Sequence, residues 1–207
     1  MTSAEIVYVV DDDESVRRAL SRLLRSAGLN VETFPSAQAF LGRELPDRTA
    51  CLVLDVRLPG LSGLDLQAAL KQAGRAMPIV FISGQSDVPV SVQAMKAGAL
   101  DFLQKPFDDE QLLSAIAGAL ARGRTARALR DESALVRQRF ETLTPRERQV
   151  LGQVIAGLLN KQIAANLGAA EKTIKIHRGR VMQKMAAGSV ADLVRMAQRI
   201  GVEPAAH

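Results

Sequence analysis

The chain has 207 residues, 47% of them hydrophobic and 24% charged, which allows one or two packed domains and argues against disorder. Its apolar runs reach about five residues, far short of the roughly 20 that cross a bilayer, and no basic, apolar leader opens it, so neither membrane insertion nor secretion is expected. A single cysteine, Cys51, excludes an internal disulfide and any cysteine-based metal site.

The net charge of +5 is unevenly spread. Residues 1–122 hold 12 Lys and Arg against 15 Asp and Glu, a net of −3, while residues 123–207 hold 15 against 7, a net of +8. An acidic module joined to a basic one fits this split, and the basic one suits a polyanion. An excess of solvated arginines would give the same count.

Runs rich in branched residues come first: Ile6–Val10, Val31–Phe34, Cys51–Leu54, Ile79–Ile82 and Asp101–Leu103. Between them lie stretches of helical spacing, marked by Val16, Leu20, Leu23 and Leu24, by Leu64, Leu66 and Leu70, and by Val88–Ala97 and Leu112–Ala121. This alternation predicts an α/β fold: a doubly wound, five-stranded parallel sheet with helices on both faces. The runs Val7–Val10 and Leu52–Leu54 are apolar on both faces, as buried parallel strands require.

From residue 122 to 141 the composition shifts to arginine and alanine, which predicts a solvated helical linker, with nothing to stop the preceding helix from continuing into it. Beyond it no strand pattern remains. Thr144-Pro145-Arg146-Glu147 is a capping box with proline at the first helical position, opening a helix that should stop at Gly157. Helices over Asn160–Leu167 and about Glu171–Met185 follow, and Ser189 with Asp192 opens a fourth. Residues 1–121, 122–141 and 142–207 thus read as an α/β domain, a linker and a small all-α domain of four helices.

In an open parallel sheet, ligands bind at the carboxyl ends of the strands. Here the first strand runs into Asp11-Asp12-Asp13, the third ends in Asp55, the fourth in Ser83 and the fifth in Lys105. Carboxylates held close repel unless a cation joins them, and an all-oxygen cluster suits Mg²⁺. A nucleophilic Asp beside Mg²⁺ and a Lys suits acceptance of a phosphoryl group, with the Ser83 hydroxyl bonding one of its oxygens. Taken singly, Asp11–Asp13 could be a helix N-cap cluster and Asp55 a turn former.

Asp11-Asp12, Asp55 within Leu54-Asp55-Val56-Arg57-Leu58-Pro59-Gly60, Ser83 and Lys105-Pro106-Phe107 together resemble the receiver domain of bacterial two-component response regulators, over residues 4–121. The resemblance implies a flavodoxin-like fold with Asp55 as phosphoacceptor. It implies Mg²⁺ held by Asp12, Asp55 and the Arg57 carbonyl, with Asp11 completing the pocket. It further implies Lys105 pairing with the phosphoryl group across a cis bond to Pro106, and Ser83 and Phe102 as switch residues. On phosphorylation Ser83 and the Gly84-Gln85 loop would move in and Phe102 would turn inward, altering the dimerisation face of Val88–Ala97 and Asp101–Gln104.

Residues 160–185 read as helix, glycine-containing turn, helix. On the second helix Ile174, Val181 and Met185 share one side. Lys172, Ile176, Gly179 and Gln183 lie opposite, flanked by Thr173, Lys175 and Arg180. Such a face suits the major groove, although a solvated cationic face looks the same. Leu143-Thr144-Pro145-Arg146-Glu147-Arg148, Gly157, Asn160-Lys161, Ile163-Ala164, Thr173-Ile174-Lys175, His177 and Lys184-Met185 resemble the LuxR-type helix-turn-helix domain.

With the receiver motifs, the whole chain resembles the FixJ/NarL group of response regulators. This resemblance implies base contacts from Lys172, Lys175, Ile176 and Arg180, phosphate contacts from Thr173, Arg178 and Lys184, and a final helix that dimerises. His177 is read as a structural hydrogen-bonding residue. Ala169-Ala170 depart from the pattern, lacking the Ser or Thr cap often found before the recognition helix. The implied partners are a sensor histidine kinase, duplex promoter DNA, a second copy of the chain and RNA polymerase, in a bacterial cytoplasm. A phosphohydrolase of the haloacid-dehalogenase class would need a second Asp two residues after the nucleophile, where Arg57 stands. A protein- or RNA-binding C-terminal module is the third reading.

Overall fold

The computed structural model describes residues 5–75, 77–84 and 88–205. The chain divides into two compact units between Arg127 and Ala128. The first contains β1 (Ile6–Val10), α1 (Glu14–Ser26), β2 (Asn30–Phe34), α2 (Ala37–Leu41), β3 (Ala50–Asp55), α3 (Gly63–Gln72), β4 (Ile79–Ser83), α4 (Val88–Lys96) and β5 (Asp101–Gln104), followed by α5 (Asp109–Glu141).

All five strands are parallel, in the order β2-β1-β3-β4-β5. Side chains alternate across a strand, so each central strand feeds two cores. Val7, Val9, Cys51, Val53, Val80 and Ile82 pack with Leu20 and Leu24 of α1 and with Leu112, Ile116 and Ala119 of α5. Ile6, Tyr8, Val10, Leu52, Leu54 and Phe81 pack on the other face with Phe40, Leu66, Leu70 and Ala94. Burying a leucine or phenylalanine contributes about 2 kcal/mol, and that holds the strand ends where the site needs them. The strand order reverses between β1 and β3, so a crevice opens at their carboxyl ends.

One helix was not foreseen. Helix α2 spans five residues, too few to show a 3.6-residue period. Ser36 caps it, and Phe40 is packed edge-on against Tyr8 and Phe34. Helix α5 runs 33 residues without interruption, so the expected linker is the second half of one helix. Several of its arginines are not simply solvated. Arg124 and Arg127 pair with Glu5 and Asp47 at 2.7 and 3.3 Å in the first unit, while Arg137 and Arg139 donate to the carbonyls of Ile200 and Met185 in the second.

The second unit contains α6 (Pro145–Ile155), α7 (Asn160–Leu167), α8 (Glu171–Met185) and α9 (Val190–Arg199). Its core joins Val150, Leu151, Val154, Ile163, Ile174, Val181, Met185, Leu193 and Ala197. Gly168 closes α7 in the left-handed conformation, φ 61°, which glycine adopts without steric cost, and turns the chain into α8. Ala170, at the α8 N-cap, makes no side-chain capping bond. No helix among the described residues is long and apolar enough to cross a membrane.

Candidate functional site

The expected residues of the first unit converge at the β1/β3 crevice. Asp11 follows β1 and is fully buried, Asp55 ends β3, Ser83 ends β4, and Lys105 follows β5. The Lys105 ammonium donates to Asp11 Oδ2 and to Asp55 Oδ2, both at 2.7 Å. The other carboxylate oxygens accept backbone N–H groups: Asp11 Oδ1 from Asp13 at 2.9 Å and Asp55 Oδ1 from Arg57 at 2.8 Å. Each carboxylate is therefore aimed from both ends.

Burial pushes the Asp55 carboxyl above its ordinary value, against the opposing pull of Lys105 and of the Arg57 N–H. Burial alone would lower the Lys105 ammonium, but hydrogen bonds to Asp11 and Asp55 raise it. The cation thus stays charged while holding the pair.

Asp12 is exposed, and it completes a set with Asp11 and Asp55 in which one oxygen of each lies within 4.8 Å of the others. Three hard oxygen donors at this spacing fit a small divalent cation and not a soft metal. The neighbouring Asp13 serves another purpose, capping α1 through Ser15 and Val16. Of the switch residues, Ser83 is buried, and its carbonyl accepts the Lys105 N–H at 2.7 Å. Phe102 is half-buried, with its ring 6.4 Å from that of Phe81. The Lys105–Pro106 bond is cis, as expected. Gln85 lies outside the described residues.

Two residues that hold the site went unrecognised in the sequence. Arg17, one turn into α1, donates to the carbonyls of Asp11 and Asp12 at 2.7 and 2.8 Å, pinning the loop that carries both carboxylates. An arginine five or six places after an Asp pair was the visible signal. Gly63 opens α3 against the end of β3. A Cβ there would lie 2.3 Å from the Asp55 carbonyl oxygen and 3.1 Å from Val56 Cα. The glycine lets α3 dock directly behind Asp55.

In the second unit α8 turns Ile174, Val181 and Met185 into the core and leaves Lys172, Thr173, Lys175, Ile176, Gly179 and Arg180 exposed. Arg178 is half-buried and donates to Asn160 Oδ1 at 3.1 Å, tying α8 to the start of α7. Lys184, expected to reach a phosphate, is bound inside the unit. Its ammonium lies 2.7 Å from Glu147 Oε2 and 3.1 Å from the Thr142 carbonyl. The same Glu147 oxygen accepts the Thr144 N–H at 2.9 Å, completing the capping box of α6. The hydrogen bond from Lys184 holds the Glu147 carboxyl below its ordinary value of 4.5. His177 is half-buried, and its Nδ1 has no hydrogen-bond partner among the described residues.

This pairing of a Lys-bridged carboxylate crevice with a cationic helix-turn-helix is matched by known families. Residues 7–117 match the response regulator receiver domain, and residues 141–197 match the bacterial regulatory proteins of the luxR family. The chain therefore belongs to the response regulators that join a receiver to a LuxR-type DNA-binding domain, and it is a transcriptional regulator, not a catalytic enzyme.

Among its relatives, nodulation protein W of Bradyrhizobium diazoefficiens is 53% identical over 197 residues, covering 95% of this chain and 87% of that one. Transcriptional regulatory protein FixJ of the same organism is 43% identical over 203 residues, covering 98% of both. The solved structure of the response regulator StyR has a TM-score of 0.84 at 48% identity, over 95% of this chain and all of that one.

Proposed function

We propose that this protein is switched by phosphorylation of Asp55 and answers by dimerising on promoter DNA. The supporting observation is the Lys105 bridge. It presents a buried carboxylate, Asp55, at the open end of β3, with a cation already beside the oxygen that a phosphoryl group would join. A sensor histidine kinase supplies the group: the P–N bond of its phosphohistidine breaks as a P–O bond to an Asp55 oxygen forms.

Asp11, Asp12 and Asp55, with the Arg57 carbonyl, are the residues that would hold Mg²⁺. The bound ion would neutralise charge on the transferring phosphoryl oxygens. Lys105 exchanges its bond to Asp55 for one to the phosphoryl group, the Ser83 hydroxyl donates to another oxygen, and Phe102 rotates toward the space thus opened. The added charge of nearly −2 drives this rearrangement.

In this reading residues 1–121 are the receiver, 122–141 the helical linker and 142–207 the DNA-binding domain. Lys172, Lys175, Ile176 and Arg180 face base edges, and Thr173 and Arg178 face phosphates, while Lys184 keeps its role inside the fold. The dimer acts with RNA polymerase in the bacterial cytoplasm.

Acetyl phosphate with Mg²⁺ should label the wild-type chain and leave Asp55→Asn unlabelled. Labelling that persists in that variant overturns the assignment. The labelled chain should retard duplex DNA selectively, with an affinity that falls steeply with salt.

A further inference from the structure

Two features of the exposed face of α8 are not accounted for by packing among the described residues. Ile176 is 49% exposed although it is surrounded by cations and polar groups. Gly179, one turn further on, sits in an ordinary helical conformation, and a Cβ there would meet nothing within 4 Å. Glycine inside a helix costs about 1 kcal/mol relative to alanine, and here no packing or backbone need offsets that cost.

The two residues share one face, because positions three apart on a helix are neighbours. A helical side chain leans toward the N-terminus over the residue three or four places before it. A side chain at 179 would therefore lie over Ile176, and the glycine leaves the Ile176 side chain uncovered. The result is a shallow apolar notch, with Lys175 on one flank, Thr173 and Arg180 on the other, and Lys172 one turn before it.

We infer that Ile176 and Gly179 form a notch that reads the 5-methyl group of a thymine in the major groove. This rests on the DNA-binding reading above and assigns the base that the helix selects. Of the four bases only thymine presents a methyl group on that edge, and apolar contact is how a side chain recognises it. The bare backbone at Gly179 gives the base edge room to approach, while the flanking cations meet the adjacent phosphates.

The test uses the full-length chain, phosphorylated with acetyl phosphate and Mg²⁺, and a duplex selected by it from a random-sequence pool. Each thymine of the selected duplex is then replaced singly by deoxyuridine, which removes only the methyl group. At one thymine per half-site, uracil should weaken wild-type binding about fourfold, the value of one buried methyl group. Ile176→Ala should bind the thymine duplex equally weakly and should no longer distinguish uracil. Gly179→Ala should raise the thermal midpoint of the helical unit and yet weaken binding to the selected duplex.

Uracil tolerated at every position by a wild-type chain that binds tightly overturns the notch and leaves the DNA-binding reading intact. Unchanged affinity in Gly179→Ala removes the glycine from it. If no duplex is enriched, the DNA-binding reading fails, and the notch fails with it.

Discussion

Lys105 Nζ lies 2.7 Å from Asp55 Oδ2 across fifty residues of sequence, and the same ammonium lies 2.7 Å from Asp11 Oδ2. One cation therefore holds together two buried carboxylates that arrive on adjacent strands, β1 and β3. Without it, two buried carboxylates would face each other with no cation between them.

Replacing Lys105 by Ala leaves Asp11 and Asp55 without that cation. Labelling by acetyl phosphate should fall roughly a hundredfold, the order lost with one charge-stabilising donor. Without divalent cations the variant should be about 2 kcal/mol less stable. Added Mg²⁺ should raise its unfolding midpoint more than that of the wild type, because binding to the folded state alone stabilises it. Urea unfolding with and without Mg²⁺ measures both effects.

Arg17→Ala frees the carbonyls of Asp11 and Asp12 from their donor. The carboxylates remain, but the loop that aims them loosens. Mg²⁺ affinity should fall about tenfold, at the low end for residues that orient ligands. Arg17→Lys should recover part of the loss. Calorimetric titration of the unphosphorylated chain with Mg²⁺ reads this directly.

Gly63→Ala places a methyl group 2.3 Å from the Asp55 carbonyl oxygen, with Phe81 and Val56 closing the remaining space. Helix α3 must then retreat from β3. The expected cost is about 3 kcal/mol, seen in chemical unfolding. Gly118→Ala, where a Cβ meets nothing within 4 Å, should be neutral or slightly stabilising.

Glu147 links the cap of α6 to Lys184 of α8. Its carboxyl is held below its ordinary value of 4.5, so the stability it contributes is present above that value and is lost as pH falls through the lower folded value. Glu147→Ala should destabilise the helical unit by about 2 kcal/mol at neutral pH. The difference from wild type should shrink in acid below pH 4.5. Hydrogen exchange of amides in α6 and α8 across this pH range checks it.

Much of this was legible in the residues. Strands β1, β3 and β4, buried on both faces, appear as continuous apolar runs, so their carboxyl ends, with Asp11, Asp55 and Ser83, could be located from hydrophobicity alone. The wheel of α8 separated Ile174, Val181 and Met185 from the exposed face because fifteen residues give several full turns. Helix α2, with five residues, gives barely more than one.

Lys184 marks the limit of that reading. On the wheel it is one more cation beside the reading face, with nothing nearby in sequence to claim it. Only the packing of α6 on α8 brings Glu147 to 2.7 Å, and a nearly buried carboxylate attracts the ammonium more strongly than water does. Arg17 and Gly63 are alike in this respect: one depends on how α1 folds back over the loop, the other on how closely α3 meets β3.

The sequence by itself determined the element types, the division of charge and the chemistry available at each strand end, because periodicity and residue type are local properties. The tertiary structure decided which charges neutralise one another. Lys105 meets Asp11 across 94 residues, and the strength of that bond comes from the burial and distance that the folded sheet imposes.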